Sequence, residues 1–236
     1  MMNISEIFEM DEISCLISEI EKKFEGESVP NIRKNIKNLF SQNISYEKCY
    51  QISKALSNNN IYEVRFFGAL LLGPIAAKNL HYLDYLKNVY CCDENWRVQE
   101  ANAKAFDLFC ENYGYEKAIP IIKEWMNDDN ENVRRAVSEG LRVWTSRPYF
   151  CDHPEVAIEL LSLLRNDSSL YVRKSVANCF SDISKKHTKM VFKCFLQWDF
   201  SNMFQWYIIN NGCRYIKKKF PELFKKIEKQ KSRNSR

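Results

Sequence analysis

The segment from Asn130 to Lys186 decides the fold, and it reads NENVRRAVSEGLRVWTSRPYFCDHPEVAIELLSLLRNDSSLYVRKSVANCFSDISKK. Its first part places apolar or small residues at i, i+3, i+4, i+7, i+8 and i+11, namely Val133, Ala136, Val137, Gly140, Leu141 and Trp144. This spacing is one stripe of a helix with about 3.6 residues per turn, so it predicts a helix over residues 132–144. The last part repeats the design with Val172, Val176, Cys179, Phe180 and Ile183.

The polar side of each of these two helices is basic and carries one embedded acid. The first presents Arg134, Arg135, Ser138, Glu139 and Arg142, and the second presents Lys174, Asn178, Ser181, Asp182 and Lys185. A face that serves only to contact water does not need cations gathered around single carboxylates. The pattern therefore predicts that both faces have a binding or catalytic role.

Composition sets the limits on the fold class and the compartment. The chain has 236 residues, 45% of them hydrophobic, but only six glycines and six prolines, which favours an all-α protein. Its nine cysteines are odd in number and form no CxxC pair, as expected of reduced thiols in a cytoplasmic protein. The longest apolar run, Gly68–Ala77, has ten residues and is too short for a membrane span. A net charge of +5 and a lysine-rich end at 217–236 are compatible with a polyanionic partner.

A repeat becomes visible when the segments YEVRFF, WRVQEA, ENVRRA and LYVRKS are aligned on their valines. The valines lie at 64, 98, 133 and 172, with spacings of 34, 35 and 39, and Phe204 continues the series 32 residues later. A separate helix precedes each aligned position after the first, over 78–90, 115–127, 153–166 and 187–198. This period predicts an α-α superhelix, that is, a HEAT- or armadillo-like repeat solenoid. We expect one domain over 1–225, with capping helices in 1–57, aligned repeats in 58–220 and a basic, flexible tail at 226–236.

The second helices of such a solenoid are expected to lie in parallel and form one concave wall. Two and six residues after each aligned apolar position, the side chains share a face of the helix. These positions hold Glu100 and Lys104, Arg135 and Glu139, Lys174 and Asn178, then Trp206 and Asn210, whereas the first repeat has Phe66 and Leu70. The polar wall is therefore predicted to begin at the second aligned repeat.

The strings VRRAVSEGLRVW and YVRKSVANCFSDISKKH resemble the bacterial DNA alkylation-repair HEAT-repeat glycosylases, the AlkC/AlkD-like proteins. The resemblance covers roughly residues 60–220 and is most specific in 131–187. It implies a monomer whose concave wall binds duplex DNA containing alkylated purines. It also implies excision of cationic N3- and N7-alkylpurines without a metal, without a cofactor and without flipping the base into a pocket.

That reaction needs a carboxylate near C1′ of the deoxyribose, an aromatic face against the sugar, and cations on the phosphates. Trp96 and Glu100 are four residues apart on one helix face, the spacing that the family uses, so Glu100 is the first candidate for catalysis. Glu139 and Asp182 match further acidic positions of the family. Trp144 lies roughly where the family has a cleft tryptophan, although RVWTSRP reverses the family's RP-x-x-PW order.

The predicted DNA-binding residues are the polar and aromatic positions of the wall: Arg135, Arg142, Trp144, Lys174, Asn178, Lys185, Trp206 and Arg214. We expect the VR arginines, Arg65, Arg134 and Arg173, to brace neighbouring repeats through aspartates instead. No metal site is predicted, since the adjacent Cys151, Asp152 and His153 have no chelating spacing.

Simpler interpretations stay open for the candidate residues. Trp96 would then be a packing residue at a helix start, and Glu100 would be an ordinary exposed acid. Glu139 would pair with Arg135 or Arg142, and Asp182 would cap or orient Lys185 or Lys186. At the level of function, two rivals use the same scaffold: a HEAT-repeat protein that recognises unusual DNA structure without excising bases, and a protein–protein adaptor.

Overall fold

The computed structural model describes residues 2–142 and 144–234, and this part of the chain is helical and contains no strand, which confirms the all-α prediction. The helices are α1 Ile4–Glu9, α2 Ile13–Phe24, α3 Val29–Phe40, α4 Tyr46–Leu56, α5 Tyr62–Ala76, α6 His81–Asn88, α7 Trp96–Tyr113, α8 Tyr115–Met126, α9 Glu131–Gly140, α10 Pro148–Asp152, α11 Pro154–Ser162, α12 Leu170–Leu196, α13 Met203–Gly212, α14 Arg214–Lys219 and α15 Pro221–Asn234. Short 3-10 helices lie at Tyr90–Cys92 and Trp144–Ser146. None of the described helices is long and apolar enough to cross a membrane.

The chain divides into two compact units, Met1–Ala118 and Ile119–Arg236, which we call unit 1 and unit 2. The boundary falls inside α8, within the region that the sequence predicts to be one domain over residues 1–225.

Helix α5 is the centre of unit 1 and packs against α3, α4, α6 and α7. Its apolar run buries nearly every side chain, so the segment Gly68–Ala77 is a core helix. Gly73 allows α7 to approach closely, because a Cβ atom at this position would lie 2.5 Å from the carbonyl oxygen of Ala105. The N-terminal segment is a pair of helices, α1 and α2, of which Ile7, Leu16 and Phe24 are at most 1% exposed.

From the second aligned repeat onward, each second helix begins behind a polar cap, whereas α5 of the first repeat follows Ile61. Asn95, Asn130, Ser169 and Asn202 each accept a hydrogen bond from a backbone N–H in the first turn that follows. Two residues before the first three caps stands an aspartate, at positions 93, 128 and 167. Of these, Asp93 and Asp167 are the partners of the bracing arginines.

Arg65 and Arg134 link consecutive second helices within their units. In unit 1, Arg65 near the start of α5 donates Nε to Asp93 Oδ2 at 2.6 Å and Nη2 to Oδ1 at 3.2 Å, just ahead of α7. In unit 2, Arg134 near the start of α9 makes the same fork to Asp167 at 2.6 and 2.9 Å, just ahead of α12. The predicted bracing role is therefore confirmed for both arginines.

Arg173 braces the last pair of second helices by different contacts. Its Nη1 donates to the carbonyl oxygens of Asp167 and Ser168 at 2.6 and 2.8 Å, and its guanidinium lies 4.3 Å from the ring centre of Phe204 at the start of α13. The predicted arginine–aspartate contact is thus replaced here by carbonyl oxygens and an aromatic ring.

Helix α9 is shorter than the apolar stripe indicates. It ends at Gly140, and the predicted continuation to Trp144 is wrong. The turn tightens because the N–H of Arg142 donates to the carbonyl oxygen of Glu139, three residues back, at 3.3 Å. Leu141 and Trp144 are still buried, so the stripe reports burial correctly after the helix itself has ended. Val143 lies outside the described residues.

The predicted break between the segments 170–186 and 187–198 is confirmed, because α12 consists of two helical segments that meet at a kink with non-helical dihedrals at His187 (φ −124°, ψ 45°). One further prediction of the chain's course needs correction. The predicted flexible tail from 226 is helical through Asn234, since α15 buries Ile227 completely and Lys231 Nζ donates to the carbonyl oxygen of Phe200 at 2.7 Å. Apolar residues at helical spacing among the lysines anchor this helix. Ser235 and Arg236 lie outside the described residues.

Candidate functional site

The first candidate pair, Trp96 and Glu100, occupies the first turns of α7. The helix begins at Trp96 because Asn95 has extended backbone angles and its Oδ1 accepts the N–H of Arg97 at 2.9 Å. The Trp96 side chain is 53% exposed, and Glu100 lies one turn further on the same face. Within residues 2–142 and 144–234, the half-buried Glu100 carboxylate has no hydrogen-bond or ion-pair partner. The structure therefore keeps an uncompensated negative charge beside an exposed indole.

Arg97 is a neighbour of this pair that the sequence analysis missed. Its guanidinium carbon lies 4.5 Å from the ring centre of Trp96 and 5.2 Å from that of Tyr62, the first residue of α5. The sequence signal for this arrangement is an aromatic residue at the first helical position in both YEVR and WRVQ. Unit 1 thus brings together a carboxylate, two aromatic rings and a cation at the starts of two adjacent helices.

The other acidic candidates, Glu139 and Asp182, are joined by one arginine in unit 2. Arg142 donates Nη1 to Glu139 Oε1 at 3.1 Å and Nε to Asp182 Oδ2 at 3.3 Å. Lys185 Nζ adds a second cation at 2.6 Å from Asp182 Oδ1. Burial lowers the pKa of Arg142, but the two carboxylates outweigh burial and raise it. The positive charge of Arg142 is therefore firmly held, and both acids are neutralised by side chains of the protein.

A buried pair of serines completes the environment of Glu139. Ser175 Oγ donates to Glu139 Oε2 at 2.9 Å, and Ser138 Oγ lies 3.0 Å from Ser175 Oγ. Ser138 is 0% exposed, so its predicted place on the polar face is wrong, as it is for Ser181, which is 6% exposed. The hydroxyls of Ser138 and Ser175 therefore lie between α9 and α12, where Ser175 contacts the Glu139 carboxylate.

Trp144 does not offer a ring to a ligand. It is 1% exposed and its ring packs edge-on against Phe150, with 4.7 Å between ring centres. The 3-10 turn after α9 points the indole into the core of unit 2. A direct DNA contact through this tryptophan therefore does not fit the structure, in contrast to the prediction from the family's cleft residue.

The remaining predicted DNA-binding residues differ in how free their charges are. Lys174 is exposed and, within the described part of the chain, has no ion-pair partner. Arg135 stacks over the ring of Tyr171 at 4.1 Å and uses none of its guanidinium donors on a described residue. Arg214 donates Nη2 to Asn178 Oδ1, which ties these two predicted residues together. Lys185 and Arg142 are already paired with acids, as described above.

Trp206 is half-buried and is covered on one side by Lys231, whose ammonium lies 5.3 Å from the ring centre. Phe200 is an aromatic neighbour of Trp206, with 6.1 Å between the two ring centres. Part of the Trp206 surface is therefore accessible, but the ring mainly anchors helix α15.

The thiols and acids of the described residues do not form a metal centre. No group of three or more His, Cys, Asp or Glu side chains within residues 2–142 and 144–234 has an arrangement that could hold a metal ion. Burial raises the pKa of the Cys49 and Cys213 thiols to about 12, so neither is a ready nucleophile at neutral pH.

Comparison with known proteins identifies the family of this chain. The sequence model of a family described as DNA alkylation repair enzyme matches residues 12–215. The fold is similar to the crystal structure of AlkD2 from Streptococcus mutans, with a TM-score of 0.81 and 33% identity over 86% of this chain and 99% of that one. The structure of smu.31 from Streptococcus mutans UA159 is similar to the same degree, with a TM-score of 0.80 and 34% identity over the same coverage.

A shorter match extends to Bacillus subtilis (strain 168). The uncharacterized protein YhaZ of that organism is 40% identical over 108 residues, which is 44% of this chain and 30% of the length of YhaZ. The family match covers most of the chain, and the AlkD2 similarity confirms the predicted helical-repeat fold. The protein therefore belongs to the DNA alkylation repair enzyme family.

Proposed function

We propose that this protein is a DNA glycosylase that hydrolyses the N-glycosidic bond of cationic N3- and N7-alkylpurines in duplex DNA. The observation that carries the proposal is the uncompensated Glu100 carboxylate one turn from the exposed Trp96 ring. Membership of a family described as DNA alkylation repair enzyme supports the same reaction class.

The proposed reaction requires mainly electrostatic stabilisation from the protein. An alkylated purine already carries a positive charge, so the electrons of the breaking C1′–N bond neutralise it and the base leaves without a proton donor. Positive charge then develops on the deoxyribose, where Glu100 stabilises it and the indole face of Trp96 adds a cation–π contribution. Water attacks C1′, and its proton passes to Glu100 or to solvent, which leaves an abasic deoxyribose and a neutral base.

Glu100 suits this role better than Glu139 or Asp182. Glu139 and Asp182 are paired with Arg142, and Asp182 is also paired with Lys185. Their negative charge would therefore stabilise a sugar cation only weakly. Glu100 has no such partner within the described residues, and its half-buried position reduces the screening of its charge by water. We assign the catalytic role to Glu100 and a supporting, structural role to the pair around Arg142.

The phosphate contacts are assigned to the cations that remain free of acids. Among the residues that the structure describes, Lys174 and Arg135 of unit 2 meet this condition, and the one partner of Arg214 is the neutral amide of Asn178. Arg142 and Lys185, although predicted from the sequence, have their charge balanced by Glu139 and Asp182. They would add less to DNA affinity than the other three.

The test is release of 3-methyladenine and 7-methylguanine from methylated duplex DNA by the purified protein. We expect release above the spontaneous depurination measured on the same DNA without protein. Duplex binding without release would favour the DNA-structure recognition module. Absence of any salt-dependent duplex binding would favour the protein–protein adaptor.

Charge reversal by Lys174→Glu or Arg214→Glu is expected to weaken duplex binding. Each lost phosphate contact should also reduce the slope of log affinity against log salt by roughly one unit, because fewer counterions are released. Fluorescence anisotropy with a labelled duplex at several salt concentrations measures both quantities. Lys123→Glu, at an exposed position on α8, is the matched control and is expected to retain the wild-type slope. Unchanged binding in Lys174→Glu and Arg214→Glu would show that DNA lies elsewhere.

Trp96→Ala is expected to reduce both duplex affinity and excision. Loss of an aromatic face next to a developing cation is worth about 1–2 kcal/mol, or roughly 5- to 30-fold in kcat/KM. Trp96→Phe keeps a smaller ring and should retain most of the activity. Equal loss in both variants would contradict a role for the ring face. Single-turnover kinetics on methylated duplex separates the binding step from the chemical step.

A further inference from the structure

Arg97 has an arrangement that its packing alone does not explain. The guanidinium is held against two rings of unit 1, Trp96 at 4.5 Å and Tyr62 at 5.2 Å from ring centre to Cζ. Contacts of this kind use the faces of the planar guanidinium and leave the N–H groups at its edge available. The plane is thus fixed while its hydrogen-bonding capacity is unused.

None of the residues that the structure describes accepts a hydrogen bond from the Arg97 guanidinium. The contrast with Arg65 and Arg134 is clear, since each of these forms a fork to an aspartate. Glu100 lies three residues after Arg97, at the spacing of a helical ion pair, yet the two are not paired. Both charges are therefore kept apart and available.

The position of Arg97 in the helix also favours an anion. A cation in the first turn of α7 faces the positive end of the helix dipole, which is the less favourable end for a positive charge. A negative group bound there would interact favourably with both the guanidinium and the dipole. Asp93, the nearest acid in the cap, is already occupied by Arg65 and by the N–H of Asn95 at 2.8 Å. Glu94 is the exposed acid next to it, and it faces solvent ahead of the helix.

Resting on the proposed function, we propose that Arg97 binds a backbone phosphate of the strand that carries the alkylated purine. A guanidinium edge matches two phosphate oxygens, and stacking on Tyr62 and Trp96 fixes its plane before DNA arrives. Because Glu100 follows one turn later on the same helix, a phosphate held at Arg97 places the adjacent deoxyribose beside the carboxylate. Arg97 is then a positioning residue, and Tyr62 positions Arg97.

The experiment compares Arg97→Ala, Arg97→Lys and Tyr62→Leu for duplex affinity as a function of salt. We expect Arg97→Ala to lower affinity about 5- to 20-fold and to reduce the salt slope by about one unit. Arg97→Lys keeps the charge but not the planar fork, so its slope should match the wild type and its affinity should be intermediate. Tyr62→Leu should weaken binding less than Arg97→Ala and leave the slope unchanged.

Kinetics and a control separate this role from a structural one. Loss of a contact made equally in ground and transition states raises KM and changes kcat by less than about threefold. A structural role would lower the melting temperature without changing the salt slope. Arg165→Ala is the control, because Arg165 is exposed and its guanidinium donates to the carbonyl oxygen of Ser162 at 3.1 Å. It is expected to behave as the wild type.

The outcomes distinguish the inference from the proposed function. If the wild type releases no base but Arg97→Ala loses affinity and slope, the phosphate site stands and the glycosylase activity does not. If the wild type excises and Arg97→Ala matches Arg165→Ala in both quantities, the phosphate site is overturned while the activity stands. A wild type without duplex binding overturns both.

Discussion

Glu100→Gln is expected to reduce base excision by about two to three powers of ten at nearly unchanged DNA affinity. The substitution keeps the size of the side chain and removes its charge, and stabilisation of a developing charge of this kind is worth about 2–4 kcal/mol. Because the carboxylate has no partner within the described residues, its loss should not disturb the fold. Affinity is expected to rise slightly, since the carboxylate repels phosphate in the ground state.

The measurement is single-turnover release of methylated bases, corrected for spontaneous depurination of the same duplex. Glu139→Gln and Asp182→Asn are the matched comparisons, because both acids are neutralised by Arg142. They should lose far less activity than Glu100→Gln. An enzyme that is indifferent to Glu100→Gln but impaired by either of these would move the catalytic role into unit 2.

Among the substitutions proposed for this protein, Arg134→Ala is expected to lower the free energy of unfolding most, by about 3 kcal/mol or more. The Arg134 and Asp167 side chains are 12% and 3% exposed, and their two hydrogen bonds measure 2.6 and 2.9 Å. The hydrogen bonds from Asp167 raise the pKa of Arg134. Truncation leaves the aspartate buried without its partner. It also removes two donors from the carbonyl oxygens of Asp128 and Asp129.

Urea unfolding followed by circular dichroism measures this loss of unfolding free energy. Thermal unfolding should show a corresponding fall in melting temperature of roughly 6–12 °C. The double variant Arg134→Met with Asp167→Leu removes both charges together. It should recover much of the stability, because a buried charge without a partner costs more than an apolar pair of similar volume. A single variant that loses less than about 1 kcal/mol would show that the arginine–aspartate fork contributes little to the stability of unit 2.

The sequence predicts the helical repeat well because burial is what a periodic pattern records. The four aligned valines, at 64, 98, 133 and 172, are 0–1% exposed in the structure. The bracing role of Arg65 and Arg134 follows from the same alignment, since an aspartate stands at a fixed distance ahead of the next second helix. The starts of α7, α9, α12 and α13 are also close to prediction, because each lies behind an Asn or Ser cap.

Hydrogen bonds and ion pairs between side chains of different helices cannot be predicted from a periodic sequence pattern. The engagement of Arg142 by Asp182, 40 residues away, depends on the register of α12 against α9. Ser138 has a polar side chain but lies at the interface of these helices, where Ser175 gives it a partner. The stacking of Arg97 on Tyr62 likewise requires two helix starts to meet. The sequence therefore identifies candidate acids and cations, but the structure decides which of them remain free.

The kink at His187 has a consequence for how this chain can tolerate insertions and deletions. Two helical segments meet there without a loop, so the chain on either side stays in register. One inserted residue would rotate the following segment by about 100° and turn it away from the core. Val191 and Phe195, both 0% exposed, would leave the core, and the Phe195 ring, now 4.8 Å from Phe180, would leave a void. Relatives of different length should therefore carry their extra residues between α9 and α11, where the repeat lengthens from 35 to 39 residues.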